Sequence, residues 1–234
     1  MTWQIYEELS AELSQLVFGA PVTHVYNPLV YAAEPARQYV EKFASKKVRA
    51  ILLGMNPGPW GMAQTGVPFG EVNLVRDFIG IRGHVNKPER ENPARPIVGF
   101  ACARSEVSGA RLWGLARDQF VTSEAFFQRF SVLNYCPLVF MEASGKNFTP
   151  DKLRKSEQAA LFGACDAALK RALTVLDPEY FIGVGAFAET CLKRVAPVGA
   201  RVSRILHPSP ASPRANADWL GEVTRDLKKL GLLD

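Results

Sequence analysis

The chain has 234 residues, 47% of them hydrophobic and 22% charged, which is enough apolar material for one compact core, and it reads as a single domain over 1–234. No window approaches the roughly eighteen uninterrupted apolar residues of a membrane helix, and no repeat or low-complexity tract occurs, so no membrane partner is expected. A net charge of +5 favours an anionic partner without naming one, and the four scattered cysteines, Cys102, Cys136, Cys165 and Cys191, form no Cys-x-x-Cys pair. They argue against a zinc or iron–sulfur centre and read as reduced thiols of a cytoplasmic protein.

The amino-terminal stretch MTWQIYEELSAELSQL places Glu7, Glu8 and Glu12 at helical spacings and has no basic region before an apolar run. It reads as an amphipathic helix over 3–17, not as a signal peptide. A second helix is expected near 34–45 and a strand near 48–55. A long loop follows, GMNPGPWGMAQTGVPFG over 54–70, in which five glycines permit close backbone approach and three prolines stiffen the path. It lacks the Gly-Lys-Ser/Thr of a phosphate loop and the glycine spacing of a dinucleotide site, so the familiar nucleotide readings fail.

A helix starting around Glu71, a basic proline-broken stretch over 82–96 and a helix over 109–120 come next. The run RFSVLNYCPLVF over 129–140 reads as one strand. A long helix near 150–174 is expected after Thr149, with Pro150 at its first position. Strands at 180–186 and 201–208 flank a helix near 187–195, and a last helix runs from about Ala215 to Leu230. Strands alternating with helices predict a parallel sheet. In such a sheet the loops at the carboxyl ends of the strands converge on one rim. Three of the four strands end there in polar groups: Met55-Asn56-Pro57, Asn134 before Tyr135, and His207-Pro208-Ser209-Pro210. The strand ending Gly183-Val184-Gly185 carries none.

The long loop, the asparagine inside a strand and the terminal HPSP together resemble the single-strand-selective monofunctional uracil-DNA glycosylases of the uracil-DNA glycosylase superfamily. The resemblance extends through VRDFIGIRG (75–83), SEVSGARLWG (105–114), LNYCPLVF (133–140), ASGKNFTP (143–150) and CDAAL (165–169), covering most of the chain. It implies a three-layer α/β/α sandwich around a central, mainly parallel four-stranded sheet. It also implies a base-flipping DNA-repair enzyme that hydrolyses the bond between uracil and deoxyribose and leaves an abasic site. The family is associated with 5-hydroxymethyluracil as well, and deaminated purines such as xanthine are a further candidate substrate. The implied partner is single- or double-stranded DNA, acted on by a monomer without metal or cofactor. The compartment would be cytoplasmic, at the nucleoid or in the nucleus according to the source.

The residue types suit that reaction, because breaking the bond leaves an oxocarbenium-like sugar and an anionic base that needs preplaced donors. By resemblance, Asn56 positions the attacking water and His207 hydrogen-bonds the uracil oxygen on which charge collects; a neutral or a charged ring could donate. Asn134 reads the base edge, Phe69 stacks on the flipped base, and Met55, Gly58 and Met62 belong to the wall around the uracil 5-position. Pro208, Ser209, Pro210, Ala211, Ser212, Arg214 and Lys146 are expected to meet DNA. The family's Arg-Asn pair directly after HPSP is replaced here by Ala211-Ser212-Pro213-Arg214-Ala215-Asn216, and Trp60 stands where phenylalanine is commoner. No lysine lies in 54–70 or 207–210 to serve as the amine nucleophile of a lyase. The alternative is a homologue without activity that only recognises modified bases.

Overall fold

The computed structural model describes residues 2–234. In chain order the elements are α1 (Thr2–Leu13), β1 (His24–Tyr26), α2 (Pro28–Tyr31), α3 (Ala33–Phe43), β2 (Ala50–Gly54), α4 (Met62–Thr65), α5 (Val72–Leu74) and a π-helical turn (Val75–Ile79). After a 3-10 turn (Gly99–Ala101) come α6 (Val107–Phe120), α7 (Ser123–Phe127), β3 (Phe130–Asn134), β4 (Val139–Met141) and β5 (Asn147–Phe148). A second 3-10 turn (Pro150–Lys152) leads into α8 (Lys155–Leu176), β6 (Tyr180–Val184), α9 (Ala186–Val195), β7 (Arg201–Ile205) and α10 (Pro213–Lys229).

The main sheet has the order β3-β2-β6-β7 and every pairing is parallel. All five residues of β2 are buried, as expected of a central strand covered on both faces. On one face Leu52, Phe130 and Ile205 meet α6, α7 and α10. On the other, α1, α8 and α9 pack together, and Tyr135 reaches from the end of β3 to Asp166 of α8. This is the three-layer sandwich expected. The chain passes from β2 outward to β3 and then crosses back to β6 on the other side of β2, so the strand order reverses beside β2. Crevices that hold ligands in open α/β sheets lie at such a reversal.

Two elements differ from the sequence reading. The run 129–140 is two strands, not one. Tyr135 N and Cys136 N continue the ladder onto Gly54 O and Met55 O, both at 2.9 Å. Pro137 then has no N–H to donate, and the chain turns away. Its continuation, β4, joins β1 and β5 in a small antiparallel sheet that the sequence did not announce. Likewise Pro150 opens only a 3-10 turn, because the chain is extended at Leu153 (ψ 162°) and Arg154 (ψ 149°), which breaks the helical path. The α-helix begins at Lys155, where the Glu157 carboxylate accepts from Arg154 N at 3.0 Å and from Gly19 N at 2.7 Å.

Candidate active site

At the carboxyl rim of the sheet a cleft of about 390 Å³ is lined by Met55, Asn56, Pro57, Gly58, Pro59, Met62, Phe69, Glu106, Ser108, Asn134, Asn147, Thr149, His207, Ser209 and Pro210. It draws on the loops after β2 and β7, the end of β3, the start of α6 and the β5 segment, all distant in sequence, and its volume suits a small organic ligand. A larger depression of about 800 Å³ at the opposite rim, between the end of α8 and the start of β7, holds none of the residues singled out above.

Asn56 and Asn134 offer their amides differently. Asn56 Nδ2 donates to Leu138 O at 3.1 Å and to Pro57 O at 3.4 Å. Both neighbours are carbonyls, so the amide nitrogen must face them and Oδ1 is left as an acceptor. The continued β2–β3 pairing through Cys136 is what brings Leu138 within reach. Asn134 Nδ2 meets only the Met62 sulfur, at 3.3 Å. A thioether is a weak acceptor, so nearly all of the amide's hydrogen-bonding capacity is open to a ligand. Gly54 lies opposite Asn134 in the ladder. A Cβ there would fall 2.4 Å from Asn134 Oδ1 and 2.6 Å from the Phe69 ring, so only glycine lets the two groups sit side by side.

Phe69 occupies the left-handed backbone region, with φ 53°. For a bulky residue this costs roughly 1–3 kcal/mol and persists only where the surroundings dictate it. Three contacts do so. Glu71 N donates to Phe69 O at 2.7 Å, Trp113 Nε1 donates to Pro68 O at 3.2 Å, and Thr65 Oγ1 donates to Gly70 O at 3.2 Å. Phe69 is buried, 9% exposed, and its ring centroid lies 6.3 Å from that of His207.

His207 follows β7 and is bracketed by anchored carbonyls. Trp219 Nε1 donates to Leu206 O at 2.8 Å, and Arg111 Nη1 donates to Pro208 O at 3.0 Å. Arg111 Nη2 donates to Asn216 Oδ1 at 2.9 Å while Asn216 Nδ2 donates to Pro210 O at 2.8 Å. Ser209 N donates to His207 Nδ1 at 3.1 Å, so that nitrogen is unprotonated. Burial holds the imidazole pKa below its ordinary value. The ring is therefore neutral at pH 7 with its proton on Nε2, one donor for the cleft. Gly185, at the end of the strand that looked featureless, has φ 91°, and a Cβ on it would meet His207 Cβ at 3.2 Å. Its contribution is room for the imidazole.

Met55, Asn56, Gly58, Met62, Phe69, Asn134, His207, Ser209 and Pro210 thus converge on one cleft. Pro208, Ala211, Ser212, Arg214 and Lys146 do not line it. The Ser212 hydroxyl accepts from Ala215 N and caps α10. Arg214 pairs with Glu222 at 2.7 Å, and Lys146 pairs with Glu142 at 3.2 Å. Sequence reasoning missed Glu106, Ser108, Asn147 and Thr149. Glu106 caps α6 through Ser108 N and Gly109 N, a role signalled by an acid directly before a helix start. Burial, with the Glu71 carboxylate adding repulsion, raises its pKa against the pull of those backbone hydrogen bonds. Asn147 and Thr149 arrive through the small antiparallel sheet, for which the sequence carried no separate signal. Among the described residues no group of three or more histidine, cysteine or acidic side chains is placed to hold a metal.

The crystal structure of wild-type SMUG2 from Pedobacter heparinus superposes with a TM-score of 0.71, covering 98% of each chain at 19% identity. The protein thus has the α/β fold of the uracil-DNA glycosylases. No protein-family model matches the chain. The single-strand selective monofunctional uracil-DNA glycosylase of Rattus norvegicus is 48% identical over 96% of this chain and 82% of its own length, and that of Mus musculus is 47% identical over the same shares. The protein of the same name from Bos taurus is 46% identical over 96% of this chain and 84% of its own. The chain belongs to the single-strand selective monofunctional uracil-DNA glycosylase family.

Proposed function

We propose that this protein is a monofunctional DNA glycosylase of base-excision repair, hydrolysing the N-glycosidic bond of uracil in DNA and leaving an abasic site. The observation that carries the reading is the meeting of Asn56, Phe69, Asn134 and His207 in one cleft. Family membership supports the same activity.

A uracil swung out of the strand enters the cleft with its face against Phe69 and its polar edge against the Asn134 amide, both free of strong internal partners. As the bond to deoxyribose lengthens, negative charge moves onto the base and positive charge onto the sugar. His207 Nε2–H donates to the uracil oxygen that gains charge. A neutral imidazole held in one tautomer by Ser209 N does this without reorganising in the transition state. Asn56 Oδ1, freed by the grip of Leu138 O on Nδ2, accepts from a water and aims it at the sugar carbon. The water's oxygen bonds that carbon, its proton passes to solvent, and the base leaves with the electron pair of the broken bond. An amide is far too weak a base to take that proton, so its part is orientation.

The wall of Met55, Gly58 and Met62 sets what is admitted at the uracil 5-position, and 5-hydroxymethyluracil is the first derivative to test, with xanthine after it. A single cleft holds every group the reaction uses, in keeping with a monomer, and the four buried free cysteines suit a reducing compartment. The test is incubation with labelled single- and double-stranded oligonucleotides carrying uracil or thymine, followed by alkali. Alkali-dependent breaks at uracil alone, absent in Asn56→Ala, are expected. Binding without breaks would move the protein to a recognition-only role.

A further inference from the structure

Trp60 stands one residue beyond Pro59 of the cleft lining. Two guanidinium groups lie over its ring, Arg104 with Cζ 4.5 Å and Arg95 with Cζ 5.2 Å from the ring centroid. Arg82 pairs with Asp77, Lys87 with Glu91 and Lys146 with Glu142, and the guanidinium of Arg111 is taken up by Pro208 O and Asn216 Oδ1. Arg95 and Arg104 enter no ion pair among the described residues. Arg95 Nη1 donates only to Ala94 O, at 2.8 Å, and its Nε is buried without a partner.

The arrangement is fixed from beneath by Gln64, which is wholly buried. Its Nε2 donates to Pro59 O at 3.1 Å and Pro96 O at 3.0 Å, and its Oε1 accepts from Val98 N at 2.9 Å and Gly99 N at 3.1 Å. Every hydrogen-bonding site of that amide is used. It joins the loop bearing Trp60 to the segment bearing Arg95, and thereby sets two uncompensated charges at the edge of the cleft.

We infer that Trp60, Arg95 and Arg104 form a seat for the phosphodiester backbone of the DNA strand next to the nucleotide in the cleft. The inference rests on reading the cleft as the uracil site. Guanidinium groups match phosphate oxygens in pairs, and an aromatic ring that holds both side chains beforehand removes part of the ordering cost of binding. A strand with one base in the cleft necessarily carries phosphates across its rim.

The experiment measures binding of a labelled, uracil-free single-stranded oligonucleotide by anisotropy over a salt series, for the wild type and for Arg95→Gln, Arg104→Gln and Trp60→Ala. Each phosphate contact on a single strand contributes about 0.7 to the slope of log K against log salt. Arg95→Gln and Arg104→Gln should each lower the slope by about that amount, whereas Arg82→Gln, which loses a cation paired with Asp77, should leave it at the wild-type value. Trp60→Ala should weaken binding several-fold while keeping more of the slope, because both charges remain but are no longer held. Arg104 is exposed, so its replacement spares the core, and Arg104→Lys should restore the slope with lower affinity. Slopes unchanged in both glutamine variants, or no binding by the wild type, overturn the seat. Uracil excision is assayed in parallel. A wild type that cleaves while the slopes stay fixed defeats the seat alone, and reduced slopes in a protein that never cleaves uphold the seat and defeat the glycosylase reading.

Discussion

Gly54 and Asn134 face each other across the β2–β3 ladder, and the absent Cβ of the one is the space into which the side chain of the other fits, with 2.4 Å between the Cβ position and Asn134 Oδ1. The Phe69 ring fills the same space. The rim of the cleft is thus built on a close approach that only a residue without a side chain permits.

Gly54→Ala should therefore displace Asn134 and Phe69 together. Overpacking of this kind costs about 1–3 kcal/mol. Thermal unfolding should show that loss, and single-turnover cleavage of uracil DNA should fall further than the small loss of stability accounts for. An alanine variant with wild-type cleavage would separate the packing at Gly54 from catalysis.

His207→Ala should lower the single-turnover rate by about 10²–10³, with much less effect on DNA affinity, if Nε2–H serves the developing anion. Rapid-quench kinetics beside equilibrium binding distinguish the two effects.

The pH dependence has a definite sign. Burial places the folded-state pKa of His207 below its ordinary value of 6.5, so between the two values the unfolded chain holds more proton than the folded one. Stability should fall as pH drops through that window and be flat, as far as this residue is concerned, above it. His207→Ala should remove part of that acid-side loss in chemical denaturation. The cleavage rate should show no loss on the alkaline side from this residue, since the donor is the neutral ring.

Glu106 works in the opposite sense. Its pKa is raised above 4.5 by burial, so ionisation costs stability as pH rises from that value. Glu106→Gln keeps an acceptor for the start of α6 and should gain on the wild type as pH rises above 4.5, whereas Glu106→Ala should lose about 1 kcal/mol with the cap. Denaturant melts across that range check both.

Arg111 is a positioning residue for the loop that carries His207, through Pro208 O and Asn216. Arg111→Ala should reduce kcat more than it raises KM, and Arg111→Lys should not restore it, because one ammonium cannot reach two divergent acceptors as the fork does. In a double-mutant cycle with Asn216→Ala the two losses should overlap by about 0.5–3 kcal/mol. Independent, additive losses would show that the two residues do not act as one clamp.

Much of this was legible in the chain itself. Local propensity and punctuation are written residue by residue, so the alternation of strands and helices, the parallel sheet and the polar groups at three strand ends could be read directly. Asn56, Phe69, Asn134 and His207 were singled out by the resemblance to the glycosylase family that the long loop and HPSP carry, and the fold brings the four to one cleft. What depends on which segments meet in space was not written locally. Pro137 ends a ladder only because its neighbour is β2, and the small sheet that delivers Asn147 and Thr149 exists only once β1 finds β4. Arg111 acquires its partners only when folding places it against Pro208 and Asn216. The sequence by itself determined the fold class through pattern, and through its resemblance to a known family it pointed to the four groups that meet in the cleft. The tertiary structure alone decided the tautomer of His207, the exposed face of each asparagine amide and which arginines keep an unspent charge. Those properties belong to pairs of groups brought together from distant parts of the chain, where burial and hydrogen-bond partners are set by neighbours that no local pattern names.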